Sequence, residues 1–139
     1  SVISNLCIEG ISKAIISSQA PKLYISNIMT QPGETNDYDV YDHVKAIHQH
    51  AGEPFIDYVI CSNDAFDEQI LQRYKERNAH PVSTNKIKLT ENNIKMITSK
   101  NLVEIYDHVF VRHNTKVLAK LVYDLALELT STIQFKPKK

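Results

Sequence analysis

One order of segments constrains this chain more than any other. A short apolar run (Leu23, Tyr24, Ile25) leads into a polar loop from Asn27 to Thr35. An amphipathic stretch begins near Asp39, and a second apolar run covers Asp57–Ser62. Val40, Val44, Ile47 and Ala51 recur at i, i+4, i+7 and i+11, the spacing of one helical face. Asp37 or Asp39 stands where a cap is needed, and Gly52 where the helix closes. Strand, helix and strand in this order form a βαβ unit, with parallel strands and a right-handed crossover. Open α/β sheets bind ligands at the carboxyl ends of their strands, where the loop Asn27–Thr35 falls.

That loop is dense in polar groups: hydroxyls of Thr30 and Thr35, amides of Asn27 and Gln31, and the Glu34 carboxylate. Pro32-Gly33 predicts a type II turn, because proline presets φ and glycine permits φ > 0 at the next position. Two readings fit: one wall of a binding pocket, or an ordinary βα connection facing water.

Elsewhere, apolar spacing predicts a helix from about Asn5 to Ser18, stopped before Pro21, then a strand over Lys22–Ile28. Asn63-Asp64 is expected to cap a helix carrying Phe66, Ile70, Leu71 and Tyr74, and a short strand is expected around Pro81–Ser83. From Asn85 the pattern weakens. Ile87 and Leu89 alternate, Asn92-Asn93 marks a turn, and Ile94, Met96, Val109 and Val111 suggest short strands. Val117, Leu118, Leu121, Val122, Leu125 and Leu129 stripe a long final helix, with Asn114 at its N-cap position. Alternating strands and helices predict an α/β sheet layered by helices.

With 139 residues, 42% of them hydrophobic, the chain suits one globular unit. Sixteen basic residues balance sixteen acidic ones, which argues against nucleic acid as a partner. The Lys136–Lys139 tail reads as a solvated terminus. No apolar run reaches the roughly 18 to 20 residues of a membrane span, and the start lacks the pattern of a secretory signal. Cys7 and Cys61 match no metal or redox spacing and read as small buried hydrophobes in a reducing compartment, so the cytoplasm is expected. The chain opens on Ser1 with an apolar segment already under way, which suggests a fragment.

Arg112-His113-Asn114-Thr115 precedes the final helix. A guanidinium beside free helix N–H groups suits a phosphate, or the cluster simply caps the helix. Tyr74 is either core packing or a ring for a base or sugar. His43, His48 and His50 lack the spacing of a metal set and read as helix-surface residues; His80, His108 and His113 look isolated. No glycine-rich phosphate loop or nucleophile elbow is present, and Glu34 is the only plausible acid or base in the loop.

The run Ala20–Thr35, with Met29-Thr-Gln-Pro-Gly-Glu-Thr35 at its heart, resembles the YvcK-type gluconeogenesis factor family of the CofD-like superfamily. Tyr38, Asp42–Ala46, Gly10–Ile15, Arg73-Tyr74, Pro81-Val82 and Arg112-His113 with Thr115 are similar to its further motifs. The resemblance implies a three-layer, Rossmann-like, mostly parallel sheet flanked by helices. It also implies that residues 1–139 are the C-terminal part of a single CofD-like domain whose N-terminal nucleotide-loop half lies upstream. It further implies a UDP-sugar ligand such as UDP-N-acetylglucosamine and a regulatory role in bacterial carbon metabolism and cell shape. No cofactor or metal is expected, and homodimerisation stays open. Asn27, Thr30, Gln31, Gly33, Glu34, Thr35, Tyr74 and Arg112 are the expected ligand contacts. Thr115 matches a phosphorylatable threonine; Asn114 departs from the more usual Asp. The alternative is a transferase of the 2-phospho-L-lactate transferase type, using Mg²⁺ and a nucleotide donor. Either way, Glu34 and Arg112 have to share one concavity.

Overall fold

The computed structural model describes residues 2–107 and 110–134. Val109, expected in a strand, His108 and the Lys136–Lys139 tail lie outside the described residues. Three strands, β1 (Leu23–Ile25), β2 (Tyr58–Ser62) and β3 (Lys95–Ser99), form a parallel sheet in the order β1-β2-β3. Tyr24 pairs with Val59, and Ile60 with Ile97. The middle strand explains the sheet's apolar logic. Val59, Ile60 and Cys61 are all buried, so β2 is covered on both faces, as its unbroken apolar run demands. A second, two-stranded antiparallel sheet joins β4 (Val103–Tyr106) to β5 (Phe110–His113).

The helices are α1 (Val2–Leu6), α2 (Ile11–Ser17), α3 (Val40–Ala51), α4 (Glu68–Lys75), α5 (Lys86–Glu91) and α6 (Thr115–Gln134). The result is a mixed α/β fold, a parallel three-stranded sheet flanked by helices. Val40, Val44 and Ile47 of α3 pack with Tyr24, Ile56, Val59, Leu89 and Ile94, and Leu6 of α1 joins the same core.

Several expectations are corrected. The helix over Asn5–Ser18 is two helices, because Gly10 takes φ 84 and breaks the chain between them. The strand at Lys22–Ile28 is shorter. Around Pro81 only an isolated antiparallel bridge to Met29 forms. Ile87 and Leu89 lie on α5 rather than a strand, since Asn85 caps Lys88 N–H and starts a helix. Asp64 does not cap α4; Asp67 does, by accepting from Ile70 N–H. The Asp64 carboxylate instead accepts from Asn101 and Val103 N–H, at 2.6 and 2.9 Å, and anchors the start of β4. Cys7 is exposed, whereas Cys61 is buried and its thiol is pushed up to about 11 by that burial.

The cap of α3 is reciprocal. Asp39 accepts from Asp42 N–H at 2.8 Å, and Asp42 accepts from Asp39 N–H at 3.1 Å. Gly52, at φ 94, closes the helix. Burial opposes ionisation of Asp39, yet donors from Asn85 and Asp42 with nearby Lys88 hold its carboxyl below the usual range. His48 Nε2 accepts from Phe55 and Ile56 N–H at 3.3 and 3.1 Å, a task that requires a neutral ring.

Two stability predictions arise from these contacts. Replacing Asp39 by Ala in the intact protein should lower the urea-unfolding free energy by about 1–2 kcal/mol, the cost of losing a cap. Burial lowers the pKa of His48 from its ordinary 6.5, and burial acts the same way on His113. The unfolded state therefore takes up protons first. Stability is full above pH 6.5 and falls as pH drops from there through the lower folded-state values. Melting temperature measured from pH 7.5 to 5 should decline over that window. His48→Gln, whose side-chain oxygen still accepts, should flatten part of the decline.

Candidate functional site

At the carboxyl end of β1 the chain turns outward. Gly33 adopts φ 81, and Glu34 N–H donates to Gln31 O at 3.1 Å, which closes the expected Pro32-Gly33 turn. The turn is laced from within. Gln31 N–H donates to Thr35 Oγ1 at 2.8 Å, Thr35 N–H to Gln31 O at 2.9 Å, and Gly33 N–H to Asn36 Oδ1 at 2.8 Å. At the rear, Thr30 Oγ1 accepts from His80 N–H at 3.0 Å, and Thr30 N–H donates to His80 O at 2.8 Å. Both threonine oxygens thus serve the loop's own geometry, and each hydroxyl keeps a proton to donate.

A cleft of about 620 Å³ opens beside this loop. Asn27, Thr30, Gln31, Glu34 and Thr35 form one wall, and Tyr74 and Arg112 come from α4 and β5. Seven of the eight expected contacts therefore line one concavity, Glu34 and Arg112 together. Gly33 shapes the turn and is not among the lining residues. Thr115, the exposed first residue of α6, is not among them either. Asn114 caps that helix by accepting from Val117 N–H at 3.1 Å.

Tyr74 is less free than an unattached stacking ring. Its phenol oxygen accepts from Val111 N–H at 3.0 Å, tying α4 to the strand that carries Arg112. Arg112 is exposed, faces Glu104 across the hairpin and makes no ion pair among the described residues. It is the one Lys or Arg among the lining residues described, and Glu34 is the one carboxylate.

Histidines are the chief correction to the sequence reading. His43 is only 6% exposed and lines the cleft, with Nδ1 2.9 Å from Asp39 O and its ring edge-on to Tyr38. The signal was in the sequence: position 43 falls on the same helical stripe as Val40, Val44 and Ile47. His113 lines the cleft too; burial lowers its pKa, and a hydrogen bond to the Ser26 backbone opposes that shift. His50 is exposed at the cleft's edge, while His80 sits 3.2 Å from Asp37. Tyr24, also missed, has its phenol pushed up to about 12 by burial, against a backbone hydrogen bond from Asn27 that lowers it. It stays a neutral hydroxyl at any physiological pH. One cation, one carboxylate and many neutral donors and acceptors suit a ligand with an anionic group and several uncharged polar ones.

Residues 1–102 match the family model described as 2-phospho-L-lactate transferase CofD. The chain is 35% identical over 128 residues to the gluconeogenesis factor of Bacillus subtilis, covering 92% of this chain and 40% of that protein. It is 32% identical over 134 residues to the gluconeogenesis factor of Halalkalibacterium halodurans, covering 96% of this chain and 41% of that protein. The crystal structure of protein BH3568 from Bacillus halodurans superposes with a TM-score of 0.83 at 33% identity, over 88% of this chain and 39% of that one. The chain thus spans less than half the length of these relatives. Among the described residues, no helix is long and apolar enough to cross a membrane.

The Tyr74 bond gives a direct check. Tyr74→Phe keeps the ring and removes the acceptor for Val111 N–H, so amide exchange at Val111 should quicken by about tenfold. Exchange at Ile60, in the middle of the sheet, should not change.

Proposed function

This chain belongs to the CofD family, in its gluconeogenesis-factor branch, and we propose that its cleft is part of a nucleotide-sugar site in a regulatory protein. The ligand class is a UDP-sugar of the UDP-N-acetylglucosamine kind, read out in bacterial carbon metabolism and cell-shape maintenance. The observation that carries this reading is the convergence of Asn27, Gln31, Glu34, Tyr74 and Arg112 on one cleft of about 620 Å³. That volume lies within the usual range for small-molecule sites. Arg112, at the end of β5 just ahead of α6, holds the diphosphate with charge-assisted hydrogen bonds. The upstream half of the protein completes the site with its own phosphate-binding loops. Asn27, Gln31 and Glu34 hydrogen-bond the sugar or ribose, and the face of Tyr74 packs on a ring. Thr115, exposed at the start of α6, is a phosphate acceptor whose modification would set about two negative charges near Arg112.

A second reading draws on the name of the family model: a transferase moving a phosphate-linked group from a nucleotide donor, with Mg²⁺ held by upstream acids. Titration calorimetry on the full-length protein separates the two. UDP-N-acetylglucosamine should bind without turnover, and Arg112→Ala should weaken binding ten- to hundredfold, about 1.5–3 kcal/mol. Unchanged affinity in Arg112→Ala would remove the guanidinium from the site. Product formation with magnesium and a hydroxy-acid acceptor would favour the transferase.

A further inference from the structure

Within the nucleotide-sugar reading, on which this inference rests, the geometry points to His43 as a hydrogen-bond acceptor that selects ligands by an uncharged donor, a hydroxyl or an amide N–H. His43 Nδ1 lies 2.9 Å from the Asp39 carbonyl oxygen. A carbonyl only accepts, so Nδ1 carries the ring proton, and in the neutral ring Nε2 presents a lone pair. That Nε2 is buried and has no hydrogen-bond partner among the described residues. Buried polar atoms are nearly always paired, so an orphan in the wall of a cleft marks a place where a partner arrives with something else. The ring cannot easily turn away, because Asp39 holds one edge and Tyr38 packs edge-on at 5.3 Å and 87°.

A second orphan stands in the same cleft. His113 Nε2, on β5 beside Arg112, is likewise buried and unpartnered among the described residues. Two unpartnered ring nitrogens thus belong to residues of two separate elements that line one cleft. A fully ionised phosphate has no proton to give either of them, so neither nitrogen suits the diphosphate. Ribose hydroxyls, hexose hydroxyls and an acetamido N–H all qualify. The cleft thus divides by chemistry: the Arg112 guanidinium for the anion, and the imidazoles for the neutral donors.

Two substitutions separate ligand recognition from a structural role. His43→Asn places an amide N–H where Nδ1 stood, so it can still donate to Asp39 O, but it lacks the distal acceptor. His43→Gln does the reverse: its side-chain oxygen reaches the Nε2 position, and the proximal donor is lost. Calorimetry on the full-length protein, with UDP and with UDP-N-acetylglucosamine, should show Asn weakened by about tenfold and Gln near wild type. Melting temperature should order them oppositely, with Asn the more stable. Weakening confined to UDP-N-acetylglucosamine places the donor on the hexose; equal weakening for both ligands places it on the uridine. Asn binding as tightly as Gln, or more tightly, overturns the acceptor role while leaving the nucleotide-sugar reading intact. A wild-type protein that bound neither ligand would overturn both.

Discussion

The Asp39 carboxylate accepts from the Asp42 N–H and from the Asn85 amide, at 2.8 Å each, while its carbonyl accepts from His43 Nδ1 at 2.9 Å. Lys88 Nζ stands 3.8 Å from the same carboxylate. One residue therefore fixes the start of α3, the head of α5 and the tautomer of a cleft-lining histidine. The next residue continues the junction, since Val40 N–H donates to Ser83 O at 2.9 Å. The cleft's inner wall inherits its geometry from this junction. An exposed ion pair would contribute little here; hydrogen bonds onto a largely shielded carboxylate contribute more, because each satisfies a donor that water reaches poorly.

The segment around Pro81 performs a similar service for the opposite wall. Val82 N–H donates to Ile28 O at 2.9 Å, and Thr30 exchanges two bonds with His80. Pro81 has no N–H to offer, which keeps the pairing to a bridge rather than a strand. This stitching lets a loop with one positive-φ glycine and a run of polar side chains hold a fixed shape at the end of a three-residue strand. Rigidity there matters for binding, because a preformed wall loses less entropy when a ligand arrives.

Much of this was legible in the sequence, and the failures have physical causes. The βαβ unit, the Asp39 and Gly52 caps, the Pro32-Gly33 turn and the Asn114 cap all follow from local chemistry. The single helix over Asn5–Ser18 failed because apolar spacing runs straight through Gly10, whose αL conformation leaves no trace in periodicity. Asp64 looked like a helix cap because Asn63-Asp64 is a good local cap sequence, yet its partners lie 37 and 39 residues away. The convergence of Glu34 and Arg112 was inferred from strand ends. The burial of His43 was not, although its stripe position pointed inward, because histidine at a core position is ordinarily read by type rather than by phase.

For the proposed nucleotide-sugar site, specificity would have to come from the buried side of the cleft. Arg112 is exposed, and a solvated guanidinium attracts one phosphate much as another, more weakly as salt rises. Tyr24, by contrast, is held neutral by burial and hydrogen-bonded to the Asn27 backbone; His43 is held in one tautomer by a carbonyl. With its proton on Nδ1, the neutral His43 ring only accepts at Nε2, and a ligand presenting another acceptor leaves that nitrogen unpaired out of reach of water. The loss from such a mismatch exceeds what an exposed charge pair supplies. In the nucleotide-sugar site proposed above, discrimination between ligands that share a diphosphate would therefore fall to the inner wall, and the exposed guanidinium would set how readily an anion is drawn in.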